Sequence, residues 1–338
     1  MKAYKSVKYW LFTGCVMIAA MVIIGGITRL TDSGLSMVNW KLFMGAIPPT
    51  SEAEWVDKFE EYKQYPEYQK INFDIDLEAF KSIFFWEYLH RLLGRVIGLV
   101  FFFPFLYFLV KGYFKKAMIG KLFVLFVLGG FQGFLGWYMV KSGLVERPDV
   151  SHYRLAIHLT SAFTLFAYTL WLALDYSYAG STDTPNKNLK SFGLKTLALL
   201  IIQIVYGAYV AGLKAGMLCP TFPKMCDDWI PSSMSNMNWI DDLYNIQFIH
   251  RTIAWILALW IMFGFVRMMK EKLSVSQKKS TQYLLGMLSI QFILGVLTIL
   301  MSVPIALGVL HQFGALLLLA SVIFLIHRSK ASKLPNLV

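Results

Sequence analysis

The sequence predicts an all-α integral membrane protein: eight transmembrane helices arranged as two tandem four-helix bundles related by internal duplication. Three observations carry this. The 338 residues are 57% apolar, with a mean hydropathy of +0.55, well above the values of soluble chains. Eight stretches, at 10–28, 83–110, 122–140, 153–174, 195–213, 243–266, 282–301 and 305–327, approach or exceed the ~20 residues that a spanning helix requires. Motifs of the first half also recur in the second at nearly constant spacing.

The first stretch follows a basic start at Lys2, Lys5 and Lys8. It is too long for the core of a cleaved signal and lacks a small-residue exit, so it reads as a retained helix. The loop over 30–82 is the longest segment that does not span. Within 51–70 it is polar, with Trp55, Phe59 and Tyr62 at helical spacing, which predicts an amphipathic helix on the outer surface. Gly34, Pro48, Pro49 and Pro66 break the rest into turns. The segment 178–194 between the halves is polar and reads as a plain connector. It divides a first unit, 1–177, from a second, 195–338.

The repeat is explicit in four places. Gly25-Gly26 at the first helix exit matches Gly207-Ala208 at an offset of 182. Glu87-Tyr-Leu-His90-Arg91 matches Gln247-Phe-Ile-His250-Arg251 at 160. Gln132-Gly-Phe-Leu-Gly136 matches Gln291-Phe-Ile-Leu-Gly295 at 159, and His158 matches His311 at 153. Four crossings return the chain to its starting side, so the two units run parallel.

The net charge is +12, but its placement says more than its size. Basic residues gather at Lys2/Lys5/Lys8, Lys111/Lys115/Lys116/Lys121, Lys187/Lys190/Lys195, Arg267/Lys270/Lys272/Lys278/Lys279 and Arg328/Lys330/Lys333. The alternate short loops carry few: Lys141 and Arg147, then Lys214 and Lys224. The positive-inside rule then places both termini in the cytoplasm of a multi-pass inner-membrane protein. The basicity is accounted for by topology and the lipid bilayer, and implies no nucleic-acid partner. Of the three cysteines, Cys15 reads as a small buried residue. Cys219 and Cys226 share an outer loop, where a disulfide is favoured over a redox-active thiol pair.

His90, His158, His250 and His311 lie at one depth, roughly 10–15 Å below the outer surface at ~1.5 Å per residue. Ionisable groups inside a bilayer are costly and mark sites. Two imidazoles facing each other across a bundle suit the axial positions of a haem iron. A lone membrane histidine would be read as packing; four in a repeated frame favour ligation. Gly94, Gly98 and the run Gly129, Gly130, Gly133 and Gly136 would let a flat ring approach closely. Arg91, Arg95, Arg154 and Arg251 are candidate propionate partners, or cations snorkelling to the interface. His152 and His327 fall outside the pattern and read as solvated interface residues. Glu87 shares a helix face with His90, and its counterpart is the neutral Gln247. A carboxylate at that depth could relay protons or bind a polar intermediate, or stand protonated against a neighbouring helix.

The repeat, the Glu-x-x-His-Arg motif, the four histidines and the glycine-rich exit of the first helix resemble the haem A synthase family. Tyr65-Pro66-Glu67-Tyr68 and the run Phe84 to Arg95 resemble its mitochondrial and proteobacterial branch. The resemblance implies oxidation of a ring methyl of haem O to a formyl group, through a gem-diol that loses water, using molecular oxygen and external electrons. It implies that His90 and His158 flank substrate haem, that Glu87 is catalytic, and that His250 and His311 ligate a resident haem b iron. It further implies haem O synthase, a farnesyltransferase, as substrate donor, a separate electron donor, and a link to cytochrome oxidase assembly factors. Some relatives carry a cysteine pair in the first outer loop; this chain has none there, which removes a thiol-based reaction at the first site. The residues alone also admit a dihaem b-type cytochrome that only transfers electrons, or a repeat-built transporter with a histidine proton relay. Two haems at the same depth would not carry electrons across the bilayer, and a transporter does not account for paired histidines.

Overall fold

A computed structural model describes residues 2–38, 47–141, 149–181 and 183–330. Arg147 and Lys333, counted in the charge pattern, lie outside these residues. The described helices are α1 (Lys2–Leu30), α2 (Glu52–Tyr62), α3 (Pro66–Lys70), α4 (Leu77–Val110), α5 (Lys116–Lys141), α6 (His152–Ser177), α7 (Lys187–Gly212), α8 (Leu243–Met268), α9 (Val275–Leu300) and α10 (Ile305–Arg328). Eight of them, all but α2 and α3, are long and apolar enough to cross a membrane. The protein is a multi-pass membrane protein, as its hydropathy predicts.

Helix starts follow local hydrogen-bonding rules. Asp76, Asn186 and Asp242 each accept a backbone N–H of their own first turn, at 2.8, 2.8 and 2.9 Å. Ser274 and Gln277 form a reciprocal capping box on α9. Each such cap contributes about 1 kcal/mol.

The first and last helices of each half make the centre. α1 lies against α4, α6 and α10, and α10 lies against α1, α6, α7 and α9. The largest buried cluster joins Cys15, Ile18 and Val22 of α1 to Phe163, Leu200, Leu257, Leu288 and Leu316 of five other helices. Cys15 is buried and free, as expected. The internal duplication fits the way equivalent residues meet. Arg29 donates to the carbonyls of Ala211 and Gly212, both at 3.0 Å. Asp32 pairs with Lys214 at 3.0 Å, and both adopt a left-handed backbone, φ 48° and 52°. Arg29/Ala211 and Asp32/Lys214 are each related by the offset of 182, so the exits of α1 and α7 touch across a local pseudo-two-fold axis.

Two segments differ from expectation. The stretch read as a plain connector is a strap, and α7 begins inside it at Lys187. Asn186 and Asn188 donate to Glu271 at 2.9 and 2.8 Å. Buried Arg328 pairs with Asp183 and donates to Ser181 and Ser276. Polar side chains of this kind find partners on the neighbouring helix ends, which periodicity along one segment does not reveal. The amphipathic helix expected over 51–70 is broken at Pro66 into α2 and α3. Its apolar face does not lie free: Phe59, Tyr62 and Trp55 pack on Phe80 and Phe84 at ring distances of 5.1–6.5 Å. α4 supplies that platform by starting at Leu77, ahead of the expected span.

Candidate functional site

His158, His250 and His311 stand 6, 7 and 6 residues from the first residue of their helices, about 10 Å deep at ~1.5 Å per residue. His90 stands 13 residues along α4, because that helix projects beyond the bundle to carry the loop platform. All four are therefore near the side of the bundle that bears the long first loop. The rings of His250 and His311 face each other with centroids 6.5 Å apart and planes at 84°.

Each imidazole rests on a glycine of the adjacent helix. A Cβ at Gly25 would stand 3.0 Å from His90 Cε1; at Gly207, 3.0 Å from His250 Cε1. At Gly136 it would stand 3.2 Å from His158 Cε1, and at Gly295, 2.8 Å from His311 Cε1. These contacts are tighter than ordinary van der Waals packing, so any larger residue would turn or push the ring. Behind three of the rings lies a glutamine, Gln203 standing 3.4 Å from His250 Nε2. Gln132 sits 3.2 Å from His158 Nδ1 and donates to its carbonyl at 3.1 Å; Gln291 does the same for His311 at 3.1 and 3.0 Å. Such partners orient a ligating imidazole. The Nδ1 atoms of His90 and His250 are buried without a hydrogen-bond partner among the described residues. Four oriented imidazoles, two in confronting positions, with glycine backing and orphaned nitrogens, form a donor set that fits haem iron better than a hydrated cation. No group of three or more His, Cys, Asp or Glu that could hold a bare metal occurs among the described residues.

The residues beside the histidines fasten the loops above them. Glu87 is buried and accepts Ser36 Oγ–H at 2.8 Å and Met37 N–H at 2.7 Å. It is also ion-paired with Arg91, which donates to the Met37 carbonyl at 2.8 Å. In the second half Gln247 donates to the carbonyls of Gly216 and Cys219 at 3.3 and 3.4 Å. Arg251 donates to Cys219 at 2.6 Å and to Thr221 at 2.8 Å. Met37 and Cys219 are themselves related by the offset of 182. Both halves thus use the same two helix positions to hold the same loop position. The acid faces donors and the amide faces carbonyls.

Arg154 lies over the Tyr138 ring at 3.8 Å and donates to the Tyr138 carbonyl at 2.7 Å. Arg95 is half-buried on α4, one turn past Arg91. Cys219 and Cys226 form a disulfide, with Cα atoms 5.5 Å apart, a separation normal for such bridges. His152 and His327 do not fit the solvated reading. His152 is 9% exposed, its Nε2 3.1 Å from the Ile240 carbonyl and 3.3 Å from Asp241. It is wedged at a close approach of α6 and α7, where a Cβ on Gly212 would fall 2.6 Å from its own Cβ. His327 stands 3.0 Å from Asp175 and edge-on to Trp171. Neither joins the ring of four. The glycines opposite the histidines, and Gln132 and Gln291 behind two of them, were visible in the sequence as repeat matches, but their contacts were not.

Comparison with known proteins decides the family. Residues 8–323 match the family model described as "Cytochrome oxidase assembly protein". The chain belongs to that family. It is 47% identical over 336 residues to "Heme A synthase" of Flavobacterium johnsoniae, covering 97% of this chain and 98% of the relative. It is 48% identical over 339 residues to that of Flavobacterium psychrophilum, covering 97% and 99%. It is 44% identical over 331 residues to that of Nitrosospira multiformis, covering 96% and 93%. The resemblance drawn from the Glu-x-x-His-Arg motif and the repeat therefore extends over nearly the whole chain.

Proposed function

We propose that this protein is a haem A synthase, an oxidoreductase that converts a ring methyl of haem O to a formyl group for cytochrome oxidase. The observation that carries the reading is the repeated set of four glycine-backed histidines in a chain with full-length relatives of that name. His90 and His158, in the first unit, 1–177, hold the substrate. His250 and His311, in the second, 195–338, hold a resident haem b. Bound haem iron supplies the redox chemistry with molecular oxygen and donated electrons.

The chain's own part is to bind, orient and guard. The glycines and glutamines fix the imidazole planes. The turn at Ser33–Met37 and the disulfide loop at 219–226 cover the two sites from the loop side. Glu87 serves the first site. Both of its oxygens are engaged, so it accepts or delivers a proton when the Ser36–Met37 turn lifts from it. Arg91 and Arg251 act first as loop anchors; Arg251 Nε is buried without a hydrogen-bond partner among the described residues and is suited to a propionate. The charge pattern supports cytoplasmic termini, with the sites near the outer face. Haem O synthase would deliver the substrate, and a separate donor the electrons.

The test is expression in a host that makes haem O but no haem A, followed by chromatography of extracted haems. Haem A in the extract supports the reading. Haem b alone, with unchanged haem O, would make the protein a dihaem cytochrome.

A further inference from the structure

The two halves differ where their second and third helices meet. In the second half α8 packs against α9, and the seam is filled at the depth of the histidines. Trp255 meets Phe292 edge-on at 4.8 Å, and Phe222 of the disulfide loop stacks on Trp255 at 5.9 Å. Ala258 of α8 and Leu288 of α9 are buried in the central cluster. The offsets of 160 and 159 give the counterparts directly: Arg95 for Trp255, Gly98 for Ala258, Gly129 for Leu288 and Gly133 for Phe292. Gly98, Gly129 and Gly133 are exposed, and a Cβ on any of them would meet nothing within 4 Å among the described residues.

Ring contacts between α4 and α5 lie lower. Phe126 meets Phe101 at 4.7 Å and Phe105 at 5.0 Å. Phe101 is 11 residues from His90, about 16 Å along the helix. The pair is pinned at its far end and parted at the level of the site.

We propose that this parting is the lateral entrance of the substrate, open to the hydrocarbon of the bilayer, with the apolar isoprenoid chain of haem O lying along Gly129 and Gly133. The inference rests on the haem A synthase reading. It gives the asymmetry a purpose that packing alone does not. A substrate must enter and its product leave, whereas a resident cofactor must stay. An amphiphile with a farnesyl chain partitions into lipid, since every methylene buried there leaves water. The shortest route to the first site is then through the seam and not through the loop that Glu87 and Arg91 hold shut. The second site has the same seam closed by three rings.

The test imports the second half's residues. Holoprotein in lipid nanodiscs, carrying its resident haem, is mixed with haem O, and loading is followed by absorbance and by extracted haem. The Gly129→Leu/Gly133→Phe variant is expected to keep its resident haem and to load haem O at least ~10-fold more slowly than the wild type. The converse variant, Trp255→Arg/Phe292→Gly, is expected to exchange its resident haem with added haem b at least ~10-fold faster. Loading of the filled variant at the wild-type rate would overturn the proposal. If that variant loses its resident haem, the converse variant decides alone, and unchanged exchange there overturns it. A wild type that takes up no haem O would instead remove the synthase reading on which the entrance depends.

Discussion

Glu87 has a local role that its chemistry alone does not reveal. The sequence sets an acid in one half against an amide in the other, which points to one working site. The structure adds a nearer reason: Glu87 faces an N–H, an O–H and a guanidinium, whereas Gln247 faces two carbonyls. A carboxylate suits the first set and an amide N–H suits the second. Replacing Glu87 with Gln leaves a buried guanidinium without its ion, a loss of about 3–5 kcal/mol for a fully buried pair. Glu87→Gln should therefore retain haem at both histidine pairs, loosen the Ser33–Met37 turn and make little haem A. Hydrogen exchange of that turn and chromatography of the haems check the two halves of this outcome. Normal haem A output with a loosened turn would confine Glu87 to holding the loop.

Glu67 provides a pH test outside the membrane. Burial raises its carboxyl to about 8, with Glu87, Asp32 and Asp149 adding to the rise and the Tyr62 hydroxyl opposing it. An unfolded glutamate titrates near ~4.3. Folding thus favours the protonated form. The loop is most stable below ~4.3, weakens as pH rises, and bears the full cost above about 8. Protection of residues 52–76 from hydrogen exchange should fall over that window, and Glu67→Gln should flatten the dependence. The same slope in the variant would assign it to another group.

At the scale of elements, the helix-glycine contacts are the sharpest constraint. Gly207→Ala places a methyl group 3.0 Å from His250 Cε1, so the ring must turn or α7 must retreat from α8. The expected result is a shifted or partly lost low-spin haem spectrum of the second site with the eight helices intact by circular dichroism. An unchanged spectrum would show that the contact does not orient the ligand. The loop platform is the other element with a clear role. Phe80 is fully buried among Phe59, Tyr62 and Phe84, and Phe80→Ala should cost about 3–5 kcal/mol of local stability. Much of this level was legible beforehand. The eight spans and the paired cysteines follow from hydropathy and spacing. Contacts between distant segments were not, because a sequence read one window at a time does not show which helix faces which. That is why His152 and His327 looked solvated when Ile240, Asp241 and Asp175 in fact receive them.

For the whole molecule, the repeat is what made the site legible and also what limited it. Matching offsets picked out four histidines and their neighbours without any structure. They did not show that the halves share one buried cluster across α1, α6, α7 and α10, nor that the second half closes a seam the first leaves open. The proposed function gives one site a permanent guest and the other a passing one. The measurement that tests this most directly is the haem content of three purified proteins, wild type, His90→Ala and His250→Ala, by absorbance and by chromatography of extracts. The account predicts that His250→Ala loses the low-spin haem b spectrum, and that His90→Ala keeps it while forming no haem A. Full low-spin haem b in His250→Ala, or normal haem A from His90→Ala, would contradict it.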